Sequence, residues 1–210
     1  MRCARVGTLC LALVASVLLP TKSVASCGWS RIDHRVQLDE TGVWNPDVYR
    51  GVFWALTGTQ VGGAVWEGAE TRIGKTMWQG IDSQLVTLAA TEVMKYSFGR
   101  VRPSNPASNP CEWFQHSNYS FPSGEASSAA ALVTPYVLEY GSEYPWTYGL
   151  LVLPLYIGAG RVKAQAHWQS DVIAGWTVGG LAGWYAHSRE TPLLVEILPH
   201  GAVVGLKTRF

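Results

Sequence analysis

Apolar positions recur with a helical period over most of this chain, and short polar interruptions divide them into segments. Gly51 to Gly68 is a mostly apolar stretch carrying Trp54 and Trp66, and predicts a core helix. Asp82 or Ser83 can cap a helix running through Leu85, Leu88, Ala89, Glu92 and Met94 to Lys95, ending near Gly99. Residues 103–122 are rich in Pro, Asn and Ser and read as a loop. The next helix starts at Ser123 and runs toward Tyr140, with Pro135 kinking or dividing it. Tyr144 to Gly160 is uncharged, and Ala164 to Ser188 is a long helical pattern. Only the tail changes period. Val195-Glu196-Ile197-Leu198, a Pro199-His200-Gly201 turn and the run from Ala202 to Phe210 predict a β-hairpin. Residues 26–50 are mixed in character and read as an irregular arm.

These segments predict an all-α, single-domain helical bundle with a hairpin tail over 193–210. The length of 210 residues suits one domain with a sizeable core. Apolar residues make up 48% and charged residues 15%, with ten Trp and nine Tyr, so the fold is globular and greasy. The uncharged stretches fall short of the ~20 residues a membrane span needs. Glu67, Asp82, Glu92 and Glu139 punctuate the helical regions. A bundle with an unusually apolar interior is therefore expected, and contact with a membrane surface stays open. A net charge of +1 offers no basic surface for nucleic acid.

Residues 1–25 read as a signal peptide. Arg2 and Arg5 form the positive region, Val6 to Pro20 the apolar region, and Ser23-Val24-Ala25 a small-residue cleavage site. A retained anchor or a buried helix is the alternative. Cleavage leaves a domain of residues 26–210 and removes Arg2, Arg5 and Lys22 with no acid, taking the charge from +1 to −2. The product is exported, with the periplasm its expected place and membrane association open. Cys3 and Cys10 leave with the signal, so Cys27 and Cys111 remain as a disulfide candidate in an oxidising compartment. A rival reading takes Val24-Ala25-Ser26-Cys27 as a lipobox, with Cys27 lipidated.

Three separated segments carry candidate chemistry. The first runs from Lys95 to Arg102-Pro103, with Lys95 at a helix end. The second is Pro122-Ser123-Gly124-Glu125, a turn opening a helix. The third runs from Gly160-Arg161 to His167 and Asp171. A phosphoryl group in transfer spreads negative charge over three oxygens, so its catalysis is mainly charge stabilisation and positioning. Lys95, Arg102 and Arg161 offer three cations, and the two arginines can donate bidentately. Ser123 and Gly124 lie where helix-start N–H groups bind anions. Spacing by four places His167 and Asp171 on one helix face, where Asp171 can accept from one ring nitrogen and free the other as a nucleophile. No metal is required, and no cofactor is implied.

Together the segments resemble the three signature motifs of the type-2 phosphatidic acid phosphatase superfamily, which includes bacterial acid phosphatases, lipid phosphatases and vanadium haloperoxidases. Its Lys-x6-Arg-Pro motif is matched by Lys95, Arg102 and Pro103. Its Pro-Ser-Gly-His motif is matched at Pro122, Ser123 and Gly124, with Glu125 in the fourth place. Its Ser-Arg-x5-His-x3-Asp motif is matched by Arg161, His167 and Asp171, with Gly160 in place of Ser. The resemblance covers Lys95 to Asp171 and implies a helical core over about 51–187, in a phosphohydrolase acting on a phosphorylated small molecule or lipid (pyro)phosphate. His167 would attack phosphorus, Asp171 would orient it, and Lys95, Arg102, Arg161, Ser123 and Gly124 would hold the phosphate.

Glu125 stands where the family's histidine protonates the leaving group. A carboxyl can do this while it holds its proton, although three nearby cations favour the carboxylate. Glu125 is thus a general acid, a base for water in the second step, or the mark of a decayed site; His116 in the preceding loop is a surface-loop histidine or an alternative proton source. The alternatives are a catalytically decayed phosphate- or lipid-headgroup-binding protein and a vanadium-dependent haloperoxidase. The latter is usually longer and uses the histidine this chain lacks. Gly175, Gly179 and Gly183 predict close helix packing, and Trp168, Trp176 and Trp184 are expected in the core.

Overall fold

The computed structural model describes residues 31–115 and 118–189, together with the backbone of 195–198 and 201–204. The expected signal peptide, Cys27 and His116 lie outside the described residues. Among the described residues, five α-helices form the bundle: α1 (Pro46–Glu67), α2 (Arg72–Phe98), α3 (Gly124–Tyr140), α4 (Val152–Lys163) and α5 (Gln169–His187). Strands β1 (Val195–Leu198) and β2 (Gly201–Val204) pair antiparallel, with Val195 opposite Val204 and Leu198 opposite Gly201.

Several boundaries differ from the sequence expectation because other caps are used. Helix α1 begins at Pro46 rather than Gly51, since the Asn45 side chain accepts from the Asp47 N–H at 2.8 Å and Pro46 suits the first turn. Helix α2 begins at Arg72, where Thr71 Oγ1 accepts from the Gly74 N–H at 3.0 Å. Asp82 and Ser83 are therefore buried mid-helix rather than at its start. The helix ends as expected at Gly99, which adopts a left-handed φ of 45°. The segment before α4 starts as a 3-10 helix, Pro145–Leu151.

Pro135 does not divide α3. Proline lacks the N–H that would bond the carbonyl four residues back. That carbonyl belongs to Ala131, and it accepts instead from the Ser83 hydroxyl of α2 at 2.7 Å. A polar residue misread as a cap thus keeps a proline-bearing helix continuous.

Helix α3 is central and packs on α5, α2 and α4. The glycine stripe of α5 sets its approach to α3. A Cβ on Gly179 would lie 2.0 Å from the Ser127 carbonyl oxygen, and one on Gly183 would lie 2.6 Å from Thr134 Cβ. Side chains at these positions would force the two backbones apart.

The interior holds the expected apolar core, including Phe53, Ala129 and Ile157, but shares it with many polar side chains. Gln60, Thr76, Gln79, Ser83, Thr87, Thr91, Ser127 and Ser128 are buried, whereas Trp54, Trp66, Trp146 and Trp184 are 66%, 88%, 75% and 57% exposed. Of the α5 tryptophans expected in the core, only Trp168, just before the helix, is fully buried. Small and polar side chains fill many of the close helix contacts beside buried Phe53, Trp78, Leu132, Ile157 and Trp168, and the four exposed tryptophans stay outside. Among the described residues, no helix is long and apolar enough to cross a membrane.

The described part of the N-terminal arm is irregular, as expected, and ties two loops together. Arg35 donates to the carbonyl oxygens of Asn105 and Pro106, at 2.8 and 3.1 Å. Gln165 Nε2 donates to the Val36 carbonyl at 2.7 Å, and Gln169 Nε2 to that of His34 at 2.9 Å. The arm thereby fixes the loop after α2 against the turn before α5, where the candidate residues converge.

Candidate active site

His167 lies in the turn between α4 and α5, not on a shared helix face with Asp171. Helix α5 starts only at Gln169, with Trp168 as its cap, so the four-residue spacing spans a helix start. The ring is buried and its two nitrogens differ. Nδ1 donates to the Ser120 carbonyl oxygen at 2.6 Å. Nε2 therefore carries the lone pair and accepts from Arg161 Nη2 at 3.4 Å. Burial pushes the imidazole well below its ordinary value, and the charges of Arg161, Arg102 and Lys95 add to the effect. His167 is a neutral base facing a cationic pocket.

Asp171 does not bond the ring. Its Oδ2 lies 4.0 Å from Nδ1. That oxygen accepts instead from the Ser120 hydroxyl at 2.5 Å and from the Trp168 N–H at 2.9 Å, which caps α5. Oδ1 accepts from Arg100. Asp171 thus holds Ser120, and the carbonyl of Ser120 holds His167. The Asp171 main-chain carbonyl also accepts from the Ser123 N–H at 3.0 Å, so this amide is not free for an anion.

Behind the histidine lies a group that sequence reasoning missed. Arg100 is fully buried and donates to Asp33 at 2.6 Å, to Ser170 Oγ at 2.8 Å and to the Pro110 carbonyl at 2.6 Å, as well as to Asp171. Asp33, from the N-terminal arm, accepts from the Ser170 N–H at 2.8 Å. The guanidinium also lies 4.5 Å from the centre of the Trp113 ring. Arg100 stands between Lys95 and Arg102 and was the one available signal. Asp33 lies far away in sequence and offered none.

In front of the histidine, the remaining candidates come together. Arg161 is buried on α4, with its Nη1 3.2 Å from Glu125 Oε1. Arg102 donates to the Tyr119 carbonyl at 3.3 Å and is pushed down by burial and by the charge of Arg161. Lys95 pairs with Glu92 at 2.5 Å, and its Nζ would lie 3.3 Å from a Cβ on Gly124. Glycine at 124 lets the ammonium come close to the helix start. Within α3 the first intrahelical bond runs from the Ser127 N–H to Ser123, leaving Gly124, Glu125 and Ala126 N–H without intrahelical acceptors. Among the described residues, Ser123 Oγ, Glu125 Oε2 and Arg161 Nε are buried without a hydrogen-bond partner. Ser123 Oγ and Arg161 Nε can donate, and unsatisfied buried donors are costly.

The two departures from the motifs also have structural counterparts. A Cβ at Gly160 would lie 2.6 Å from Tyr49 Cδ1, so the tyrosine ring occupies the space of a residue-160 side chain. Glu125 lies between Arg161 and Arg50, whose Nε is 3.5 Å from Oε1. Tyr49 and Arg50 were not singled out from the sequence. Cys111 is disulfide-bonded. Among the described residues, no group of three or more His, Cys, Asp or Glu is placed to hold a metal ion.

The helical bundle thus gathers Lys95, Arg102 and Arg161, the start of α3 and a neutral buried histidine in one region. Residues 82–191 match the PAP2 superfamily, and the chain belongs to it. It is 40% identical over 90 residues to lipid A 1-phosphatase of Porphyromonas gingivalis, covering 42% of this chain and 18% of that protein. It is 31% identical over 99 residues to undecaprenyl-diphosphatase of Sulfolobus acidocaldarius, covering 46% and 47%. Sphingosine-1-phosphate phosphatase 1 of Mus musculus is 37% identical over 79 residues, covering 35% and 18%. Each match thus spans less than half of the relative's length. The crystal structure of Aquifex aeolicus LpxE superposes with a TM-score of 0.51 at 18% identity, over 67% of this chain and 84% of that one, a likeness of fold.

Proposed function

We propose that this chain is a metal-independent phosphohydrolase that cleaves a lipid phosphate or pyrophosphate through a phosphohistidine on His167. The carrying observation is the division of labour on that ring. Nδ1 is committed to Ser120, and Nε2 stays unprotonated beside Arg161. In the first step Nε2 forms a P–N bond as the P–O bond to the leaving group breaks. Lys95, Arg102, Arg161 and the start of α3 hold the phosphoryl oxygens. The leaving oxygen takes one proton, supplied by Glu125 in its protonated form. In the second step water forms a new P–O bond and the P–N bond breaks. The water proton returns to Glu125, and inorganic phosphate leaves.

A lipid substrate is supported by the names of the relatives and by the outward Trp54, Trp66, Trp146 and Trp184, which suit contact with a lipid surface. Export through residues 1–25, a Cys27–Cys111 disulfide and a domain over residues 26–210 belong to the same proposal. A second reading, a phosphate- or headgroup-binding protein with decayed chemistry, draws on the ion pair of Glu125 with the phosphate-binding Arg161.

Turnover of p-nitrophenyl phosphate, diacylglycerol pyrophosphate and undecaprenyl pyrophosphate, with and without chelator, tests the reading. The expected results are chelator-resistant hydrolysis and labelled phosphate trapped on His167 in acid-labile, base-stable form. Phosphate binding without turnover would establish the binding protein, and label on another residue would overturn the nucleophile.

A further inference from the structure

We infer that Arg50, in the first turns of α1, is a positioning residue that draws Glu125 off Arg161 and so opens the pocket to phosphate. The inference rests on the phosphate-site reading but not on turnover. Both departures from the family motifs, Gly160 and Glu125, are met by neighbouring residues of α1. The Tyr49 ring fills the space beside Gly160, and Arg50 reaches Glu125. Glu125 Oε1 lies between two guanidiniums, 3.2 Å from Arg161 Nη1 and 3.5 Å from Arg50 Nε. Its Oε2 is buried with no hydrogen-bond partner among the described residues.

This geometry sets a conflict. The fork of Arg161 presents Nη2 to His167 and Nη1 to Glu125, so a carboxylate occupies a nitrogen that a phosphoryl oxygen needs. Breaking the Arg161 contact with no substitute would leave an unpaired, partly buried carboxylate, which is costly. Arg50 is the substitute. Its side chain is 47% exposed, against 7% for Arg161, so it can follow Glu125 at little packing cost. Around Glu125 stand Arg161 of α4, Arg50 of α1 and Arg102 of the loop after α2, while Lys95 at the end of α2 approaches the neighbouring Gly124. Arg50 is the exposed cation in direct ion-pair contact with Glu125, which makes it the partner able to move.

Binding of inorganic phosphate, measured by calorimetry on the full chain, tests this without requiring catalysis. Arg50→Ala should weaken binding about threefold to fivefold, as fits a half-exposed pair. Combined with Glu125→Gln, which removes the charge to be drawn off, the same change should cost less than about twofold. Arg50→Lys should restore most of the loss in the Glu125 chain. Equal losses in both backgrounds would make Arg50 a plain attractor of anions and overturn the inference, as would no loss at all. Melting curves of Arg50→Ala should match wild type, and a fall in both backgrounds would assign it to folding instead. Coupled binding without hydrolysis would sink only the hydrolase reading. Hydrolysis without coupling would sink only the role of Arg50, and a wild-type chain that binds no phosphate would sink both.

Discussion

The Nδ1–H of His167 donates to the carbonyl oxygen of Ser120 at 2.6 Å, and the Ser120 hydroxyl donates to Asp171 at 2.5 Å. A carbonyl oxygen only accepts, so this contact fixes which ring nitrogen carries the proton. The orientation of the proposed nucleophile therefore passes from Asp171 to the ring through one intervening residue.

Mutants can separate this relay from a direct Asp171 contact. His167→Ala should abolish turnover while the fold survives. Asp171→Asn puts an amide where Arg100, Ser120 and the Trp168 N–H all donate, and should cost both stability and most activity. Ser120→Ala keeps the carbonyl but frees it from Asp171, and should lower kcat about 10-fold to 100-fold through misplacement of the ring. Full activity in Ser120→Ala would show that the hydroxyl does not hold the carbonyl in place.

How much of this was legible in the sequence depends on whether a side chain or the backbone does the work. The helices and the cationic side chains were readable because apolar period and charge at a set spacing are side-chain properties. The Ser120 contact was not, since any residue offers a carbonyl. The Asp33–Arg100 pair was hidden by sequence distance, as its two members meet only when the arm folds back. Burial of Thr87, Thr91 and Ser127 with Trp66 outside was missed because composition cannot say which way a greasy helix faces.

The depressed imidazole of His167 carries a pH signature. Its ordinary value of 6.5 applies to the unfolded chain, and the folded value lies well below that, chiefly through burial. Between the two, the unfolded state binds the extra proton, so stability falls as pH drops below 6.5. Above 6.5 neither state binds it, and this contribution is fully present. The same neutrality keeps the nucleophile competent in mild acid. Denaturant titrations from pH 8 to 5 should show the loss in wild type and a smaller one in His167→Gln. Equal slopes in the two proteins would place the loss elsewhere.

Gly160 should resist the residue that the family carries there. In Gly160→Ser the new Cβ would meet the Tyr49 ring at 2.6 Å, and Tyr49 and residue 160 are both buried. Overpacking of this kind costs about 1–3 kcal/mol. Thermal melts should show the loss, and Tyr49→Leu in the Gly160→Ser background should recover part of it. A Gly160→Ser protein as stable as wild type would mean that the ring turns aside freely.

Glu125 decides whether the site works as an enzyme. As the acid it must hold its proton when the leaving oxygen departs. Activity should then peak at acidic pH and fall along a basic limb. Glu125→Gln keeps the shape without a transferable proton, and should cost about 10²–10⁴-fold on alkyl phosphates. It should cost far less on p-nitrophenyl phosphate, whose leaving group scarcely needs protonation. The same change removes the negative charge beside Arg161, so inorganic phosphate should bind more tightly even as alkyl turnover falls. That split between binding and rate is hard to obtain from simple misfolding. Glu125→His supplies a group whose ordinary value is about 6.5, and should move the basic limb upward. Wild-type activity of Glu125→Gln on alkyl phosphates would overturn the acid assignment. An inert wild type that gains turnover through Glu125→His would make the natural chain a binding protein built on a phosphatase fold.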